Sequence, residues 1–144
     1  MEPVRSSIEL LEPLPDNTCF GCGGANPIGM KLAFELDHAQ RRSRGRFQFG
    51  PDLQGGNRTL HGGIIAVVLD EAMGKLTRLA GVRAVTAELN IEYLRPIPIQ
   101  EPVEVEAWEV SRDGRNLHYQ GEIRNPEGKP LARARARFVA IATR

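Results

Sequence analysis

The sequence is poor in the features that mark specialised chain classes. Among its 144 residues are only two cysteines, Cys19 and Cys22, too few for a disulfide scaffold. Formal net charge is +1, which gives no bulk electrostatic case for nucleic acid or an anionic membrane. No apolar run reaches transmembrane length and the N-terminus lacks a signal-peptide core, so a cytoplasmic protein is expected. The three histidines, His38, His61 and His118, have no paired metal-ligand spacing, and neither His38 nor His118 sits in a nucleophile motif. A phosphate-cradling loop is also missing. What is present is the composition of a soluble globular domain, 41% hydrophobic and 26% charged, long enough to bury a core.

The most informative stretch is Leu60 to Met73, LHGGIIAVVLDEAM. It reads as the start of a buried helix. At roughly 100° per residue, Ile65, Val68, Leu69, Ala72, Leu76 and Leu79 form a packing face. Glu71, Lys75 and Arg78 form a polar strip, with Glu71 and Lys75 at i,i+4 spacing. Gly63, Ala66, Val67, Asp70, Gly74 and Thr77 make a third side of mostly small residues carrying one acid. Gly62 and Gly63 leave first-turn amides uncovered at the positive end of the helix dipole. An amide pocket and a carboxylate two turns on could hold a carbonyl oxygen and the water that attacks it. The plainer alternative is a helix packing through Gly and Ala, with Asp70 hydrogen-bonded or solvated.

Residues 1–17 carry three prolines and a short apolar patch; a loose leader with at most one helical turn is expected, followed by one domain over residues 18–144. Cys19-x-x-Cys22-Gly23 is half of a metal knuckle, a redox pair, or a tight glycine-rich turn with two small buried thiols. A zinc site needs about four ligands, so a metal is not expected unless a dimer shares two halves. Lys31 to Asp37 and Ser43 to Phe49 alternate as half-buried strands. The loop Gly50 to Thr59 brings Gln54 and Asn57 toward the Gly62 amides, where they could orient a carbonyl or simply bond the turn backbone. His61 at the helix start could cap the helix or position the loop, and it counts with Gln54 and Asn57 among the candidate substrate-binding residues.

Gly81 is a helix stop. Ala84 to Leu94 then reads as a strand with Val85, Ala87, Leu89, Ile91 and Tyr93 on one face and Thr86, Glu88, Asn90 and Glu92 on the other. Val103 to Val110, Leu117 to Arg124 and Leu131 to Ile141 follow, joined by Asp113-Gly114 and Asn125-Pro126-Glu127-Gly128 turns. In the last strand Arg133, Arg135 and Arg137 share what reads as a solvated outer face. The sum is two strands, one helix and a four-strand antiparallel meander. A helix this apolar needs cover over most of its surface, from a curved sheet and from a second copy of the chain.

The order of elements, with His61-Gly62-Gly63 and Asp70-Glu71, resembles the hotdog-fold acyl-CoA thioesterases, nearest to the phenylacetyl-CoA thioesterase (PaaI-like) branch. Cys19-Phe20-Gly21-Cys22-Gly23 to Asn26-Pro27-Ile28-Gly29-Met30 is similar to a start found in bacterial members. Asn90-Ile91-Glu92-Tyr93-Leu94-Arg95-Pro96 is similar to their strand after the helix. The resemblance covers about residues 18 to 142. It implies an α+β hotdog fold, a long central helix wrapped by a curved antiparallel sheet of about five to six strands. It also implies a homodimer at least, and possible stacking to a tetramer, with the helix N-terminus from one subunit and the acid from the other.

On that resemblance the Gly62 amide, with Gly63 behind it, stabilises a thioester oxyanion, and Asp70 acts as general base or as nucleophile. Thr86 matches a position that helps place the water. Asn57 and Gln54 lie near where some members contact the thioester carbonyl, and Arg95 and Arg115 are candidates for coenzyme A phosphates. Ile64, Val67 and Met73 are expected to line the acyl pocket. The implied activity is hydrolysis of an acyl-CoA to free acid and coenzyme A, with no cofactor and no catalytic metal. The alternatives are an acyl-CoA sensor of the same fold and a hydroxyacyl thioester dehydratase using His61.

Overall fold

A computed structural model describes residues 7–144. Its strands are β1 (Ile8–Leu11), β2 (Phe34–Asp37), β3 (Arg42–Gln48), β4 (Val82–Tyr93), β5 (Pro102–Asp113), β6 (Asn116–Arg124) and β7 (Pro130–Thr143), with helix α1 (Gly62–Gly74) between β3 and β4. All seven strands join one antiparallel sheet in the order β1-β2-β3-β5-β6-β7-β4.

Alternation explains which face the sheet turns to the helix. Val103, Val105 and Ala107 of β5, Leu117, Tyr119 and Ile123 of β6, and Ala132, Ala134, Ala136 and Phe138 of β7 are buried against Ile65, Val68, Leu69, Ala72, Met73 and Leu76. Small side chains let the two layers approach. A Cβ at Gly121 would lie 3.4 Å from Leu69 Cδ2 and 3.5 Å from Met73 Cγ. The fully buried Ser43 hydroxyl donates to the Ala72 carbonyl at 2.5 Å, which pins the helix to β3. Lys75–Arg78 continues α1 as a 3₁₀ turn, and Gly81 at φ +67° supplies the left-handed residue that ends the run. The outer face carries the charge ladder expected of it: Arg133 pairs with Glu122 and Arg137 with Glu88.

The expected central helix wrapped by an antiparallel sheet is present, with four corrections. The sheet has seven strands rather than five to six, because Ile8–Leu11 pairs with β2. That stretch, expected as a loose leader with a helical turn, is extended because Leu11 packs against the core; residues 1–6 of that leader lie outside the described residues.

Strand β4 does not join a meander with β5. It pairs with β7 at the far end of the sheet, and β5 pairs with β3 instead. The Leu94 to Glu101 connection, with Pro96 and Pro98, carries the chain across. There Leu60 donates its amide to the Ile97 carbonyl at 2.8 Å.

The faces of β4 also differ from strict alternation. A bulge between Thr86 and Glu88 leaves Ala87 opposite no residue of β7, and an extra residue reverses the phase of a strand. Thr86, opposite the buried Phe138, therefore faces inward with Leu89 and Ile91, while Val85 is 51% exposed.

Finally, the polar strip of α1 is covered. Glu71 and Lys75 form the expected i,i+4 pair at 3.3 Å, but their side chains are only 18% and 17% exposed. The loop from Asn17 to Lys31 lies over them, its shape held by hydrogen bonds from the Met30 amide to the Phe20 carbonyl and from the Leu32 amide to the Gly21 carbonyl. Arg78, the third member of the strip, reaches Glu9 of β1.

Candidate active site

The helix start is built by its own capping residue. His61 is the N-cap, with φ −62° and ψ 136°, and its imidazole Nδ1 accepts the Gly63 amide at 2.9 Å. That bond uses the Gly63 N–H. Of the two glycines, Gly62 presents the open amide: among the described residues no acceptor takes it. The Gly62 carbonyl accepts the Tyr93 hydroxyl at 2.9 Å, fixing the helix mouth against the far end of β4. Tyr93 was read from the sequence only as an apolar-face residue. Its phase with Leu89 and Ile91 after the bulge is the signal that places its hydroxyl over α1.

Two turns further on, Asp70 is half-buried. Its Oδ1 accepts the Thr86 hydroxyl at 2.7 Å. Burial raises its carboxyl above the ordinary range, the Thr86 hydrogen bond pulls it partly back, and the neighbouring Glu71 charge raises it further. No cation forms an ion pair with it among the described residues. An acid of raised basicity, oriented by one hydroxyl, suits proton abstraction from water. The bulge in β4 is what puts that hydroxyl there.

The remaining expected residues separate. Gln54 joins Leu53, His61, Gly63 and Ile64 in a concavity of about 370 Å³ at the helix mouth. Asn57 does not line it. Asn57 and Arg58, at φ +54° and +59°, are the two central residues of a left-handed turn between Gly56 and Thr59, which Thr59 closes through both its amide and its hydroxyl. Met73 is fully buried against the sheet, so it does not line an open acyl pocket; Ile64 and Val67 are half-buried.

Arg95 is exposed and bonds the Pro130 carbonyl at 3.3 Å, whereas the Arg115 carbonyl accepts the Ala140 amide at the other end of β7. Ten residues of strand put these two arginines about 33 Å apart, too far to hold one phosphate within one chain. Glu71 turns to Cys19, whose thiol donates to Oε1 at 3.6 Å, and not to the Asp70 side. Burial pushes the Cys22 thiol up to about 11, which leaves it a poor nucleophile.

The open amide and the acid lie on one helix eight residues apart, about 12 Å along its axis. One thioester carbonyl cannot touch both within a single chain. The reading that a single helix presents both groups to one carbonyl is therefore corrected by geometry. Both groups do lie beside β4, a 12-residue strand at the sheet's end with its outer edge unpaired among the described residues. Among the described residues no helix is long and apolar enough to cross a membrane.

Comparison with known proteins bears on this arrangement. Residues 57–132 match the family model of the thioesterase superfamily. The acyl-coenzyme A thioesterase THEM4 of Bos taurus is 32% identical over 120 residues, covering 83% of this chain and 49% of that protein. The chain thus spans about half the length of the curated relatives it matches. A crystal structure of a thioesterase superfamily protein is 28% identical, with a TM-score of 0.78, over 85% of this chain and 60% of that one. The E. coli PaaI protein from the phenylacetic acid degradation operon shares the fold, with a TM-score of 0.68 at 21% identity over 72% and 75% of the two chains.

Proposed function

The chain belongs to the thioesterase superfamily, and from that premise we propose that it hydrolyses an acyl-coenzyme A thioester to the free acid and coenzyme A, as a dimer. The observation that carries the reading is Asp70: a half-buried carboxylate, raised in basicity, oriented by Thr86 and facing no cation. The THEM4 relative's designation as an acyl-coenzyme A thioesterase supports coenzyme A as the thiol.

The acid needs an oxyanion site from a second chain. With the Ala87 bulge counted as one extra residue, antiparallel pairing of β4 with the partner's β4 about a two-fold axis at Asn90 sets Thr86 opposite the partner's Tyr93. Asp70 then approaches the partner's Gly62. The same axis brings the partner's Arg115 to the same end of the paired strands as Arg95, where both are candidates for coenzyme A phosphate contacts. The exposed edge supports this pairing, since a long unpaired strand with Val85 and Tyr93 more than half exposed is a template for another strand. Stacking of dimers into a tetramer and a cytoplasmic location belong to the same proposal, the latter supported by two free thiols.

In the reaction the thioester oxygen lies against the Gly62 N–H at the positive helix end. Asp70 takes a proton from water as the water adds to the carbonyl carbon. Collapse of the tetrahedral adduct breaks the carbon–sulfur bond, and the proton passes to the departing thiolate. Direct attack by Asp70, giving a mixed anhydride that water opens, uses the same geometry. A thioester is electrophilic enough that one carboxylate and an oxyanion site serve without a catalytic triad.

The test is thiol release from short, medium, long and aromatic acyl-CoAs by wild type, Asp70→Asn and Gly62→Pro. Proline at the first helical position removes that amide, and the extended His61 suits a following proline. Turnover lost in both variants, with the dimer and acyl-CoA binding retained, supports the reading. Tight binding without turnover on any substrate points to the sensor alternative. Loss of water from hydroxyacyl-CoA, without thiol release, points to the dehydratase.

A further inference from the structure

The loop that covers α1 is organised around two thiols and a carboxylate that hydrolysis does not use. Cys19 Sγ, Cys22 Sγ and a Glu71 carboxylate oxygen all lie within 4.8 Å of one another, and all three side chains are part-buried. We propose that Cys19, Cys22 and Glu71 form a binding site for one zinc-class divalent cation, with water as the fourth ligand.

Three features of the loop point the same way. First, the backbone is shaped around the cluster. Asn17 Oδ1 accepts the Cys19 amide at 2.8 Å, and the Cys19 carbonyl accepts the Gly23 amide at 2.9 Å. A Cβ at Gly21 would lie 2.6 Å from Glu71 Cγ and Oε1, and one at Gly23 would lie 2.3 Å from the Asn17 carbonyl oxygen. Side chains at either place would push the loop off the helix. Cys-x-x-Cys-Gly is the ligand spacing of half a metal knuckle.

Second, the donor set and spacing fit. Two thiolates and a carboxylate are ligands for a borderline-soft ion. A tetrahedral zinc with bonds of about 2.0 to 2.3 Å separates sulfur and oxygen ligands by roughly 3.5 Å, and Cys19 Sγ is already 3.6 Å from Glu71 Oε1. A disulfide between the cysteines would leave unexplained why a carboxylate from 52 residues away turns into the loop.

Third, charge and access fit. Lys75 Nζ holds the other Glu71 oxygen at 3.3 Å. Two thiolates, one carboxylate and a divalent ion sum to −1, which Lys75 neutralises. Cys22 also lines an open concavity of about 430 Å³ with Lys75, Arg78 and Arg144, a route for the ion and a place for its water. Binding exchanges the thiol protons for the metal.

The test uses the reduced, chelator-treated full chain titrated with Co²⁺, followed by Zn²⁺. The expected result is about one cobalt per chain with an intense thiolate-to-cobalt charge-transfer band and the visible bands of a tetrahedral site. Zinc should then displace the cobalt, as the selectivity of thiolate ligands for zinc predicts. Cys19→Ser or Cys22→Ser should abolish the charge-transfer band. Glu71→Gln should keep it but weaken cobalt binding at least tenfold. The wild-type titration is decisive even where a variant fails to fold. No charge-transfer band in the folded, reduced wild type overturns the site, as does a band that survives Cys22→Ser. Unchanged affinity in Glu71→Gln removes the carboxylate from it. A chain isolated without metal and two mass units light at the Cys19–Cys22 peptide overturns it in favour of a disulfide.

Discussion

Asp70 and Asp37 are the same side chain in opposite surroundings. Asp37 accepts the Gln40 and Ala39 amides and the Arg44 guanidinium, and these bonds, Gln40 first and Arg44 next, hold its carboxyl below the ordinary range. Glu106 on β5, two strands across the sheet, repeats the pattern. Burial works to raise it, but hydrogen bonds from Arg44 and Arg124 and the Arg42 charge outweigh burial and leave it lowered. Asp70 has burial without cations, and its shift is upward. The outer sheet face stabilises its charges; the helix face beside β4 tolerates one at a cost. On the proposed function, uncompensated charge beside an unpaired edge marks where this fold gives up stability for chemistry.

The sharpest way to break the contrast is to neutralise each acid in turn. Asp70→Asn keeps the shape and a hydrogen bond to Thr86 but cannot take a proton. Thiol release should fall by about 10² to 10⁴-fold, while the urea midpoint stays level or rises. A variant that is both inactive and clearly less stable would show that Asp70 is structural.

Glu106→Gln should do the reverse. It strips three arginines of their shared carboxylate, costing about 1–2 kcal/mol, between the value of an exposed pair and that of a broken buried one. Activity per folded molecule should not change. A midpoint equal to wild type would mean the ladder is ornamental.

Next in size is Thr86→Val, which keeps volume and removes the donor to Asp70. One hydrogen bond to a charged group predicts roughly a tenfold loss in kcat, with binding of acyl-CoA unchanged. An equal rise in KM instead would assign Thr86 to substrate contact.

Acid titration sharpens the comparison further. Asp37 and Glu106 have folded pKa values below their unfolded ones, so the stability they contribute is present above about pH 4 and is lost as pH falls through and below that range. Thermal unfolding should therefore fall off on the acid side in wild type and fall less steeply in Glu106→Gln. Parallel curves would show that another group governs the acid limb. Smallest of all, Arg133→Ala removes an exposed partner of Glu122 and should shift stability by about 0.5 kcal/mol or less.

Much of this contrast could be read from the residues alone, and the parts that could not share a cause. The packing face of α1 and the arginine face of β7 follow from periods of 3.6 and 2, which local sequence records directly. Strand β1 was missed because four residues between polar flanks, with prolines after them, carry no period to count; a partner strand creates it. The edge position of β4 is a nonlocal pairing, invisible to turn signals that predict only adjacent hairpins. Glu71 reads as solvated because its cover comes from a loop about 50 residues upstream. Of the candidate site, Gly62 and Asp70 were legible from chemistry and spacing. Thr86 came by resemblance, on a face assignment that simple alternation had reversed. Tyr93 was on its correct face with Leu89 and Ile91, but no local signal shows that its hydroxyl reaches the Gly62 carbonyl.

That reversal at Ala87 gives β4 something like a reading frame. Residues before it and after it count their inward positions in different phases, and the extra residue is the frameshift that reconciles them. Substitutions along the strand change one side chain each, but a one-residue deletion at Ala87 would change the phase of everything between Gly81 and Thr86. Val85 would then face the acid and the hydroxyl would face water. Length, more than identity, sets which residues of this strand face the helix.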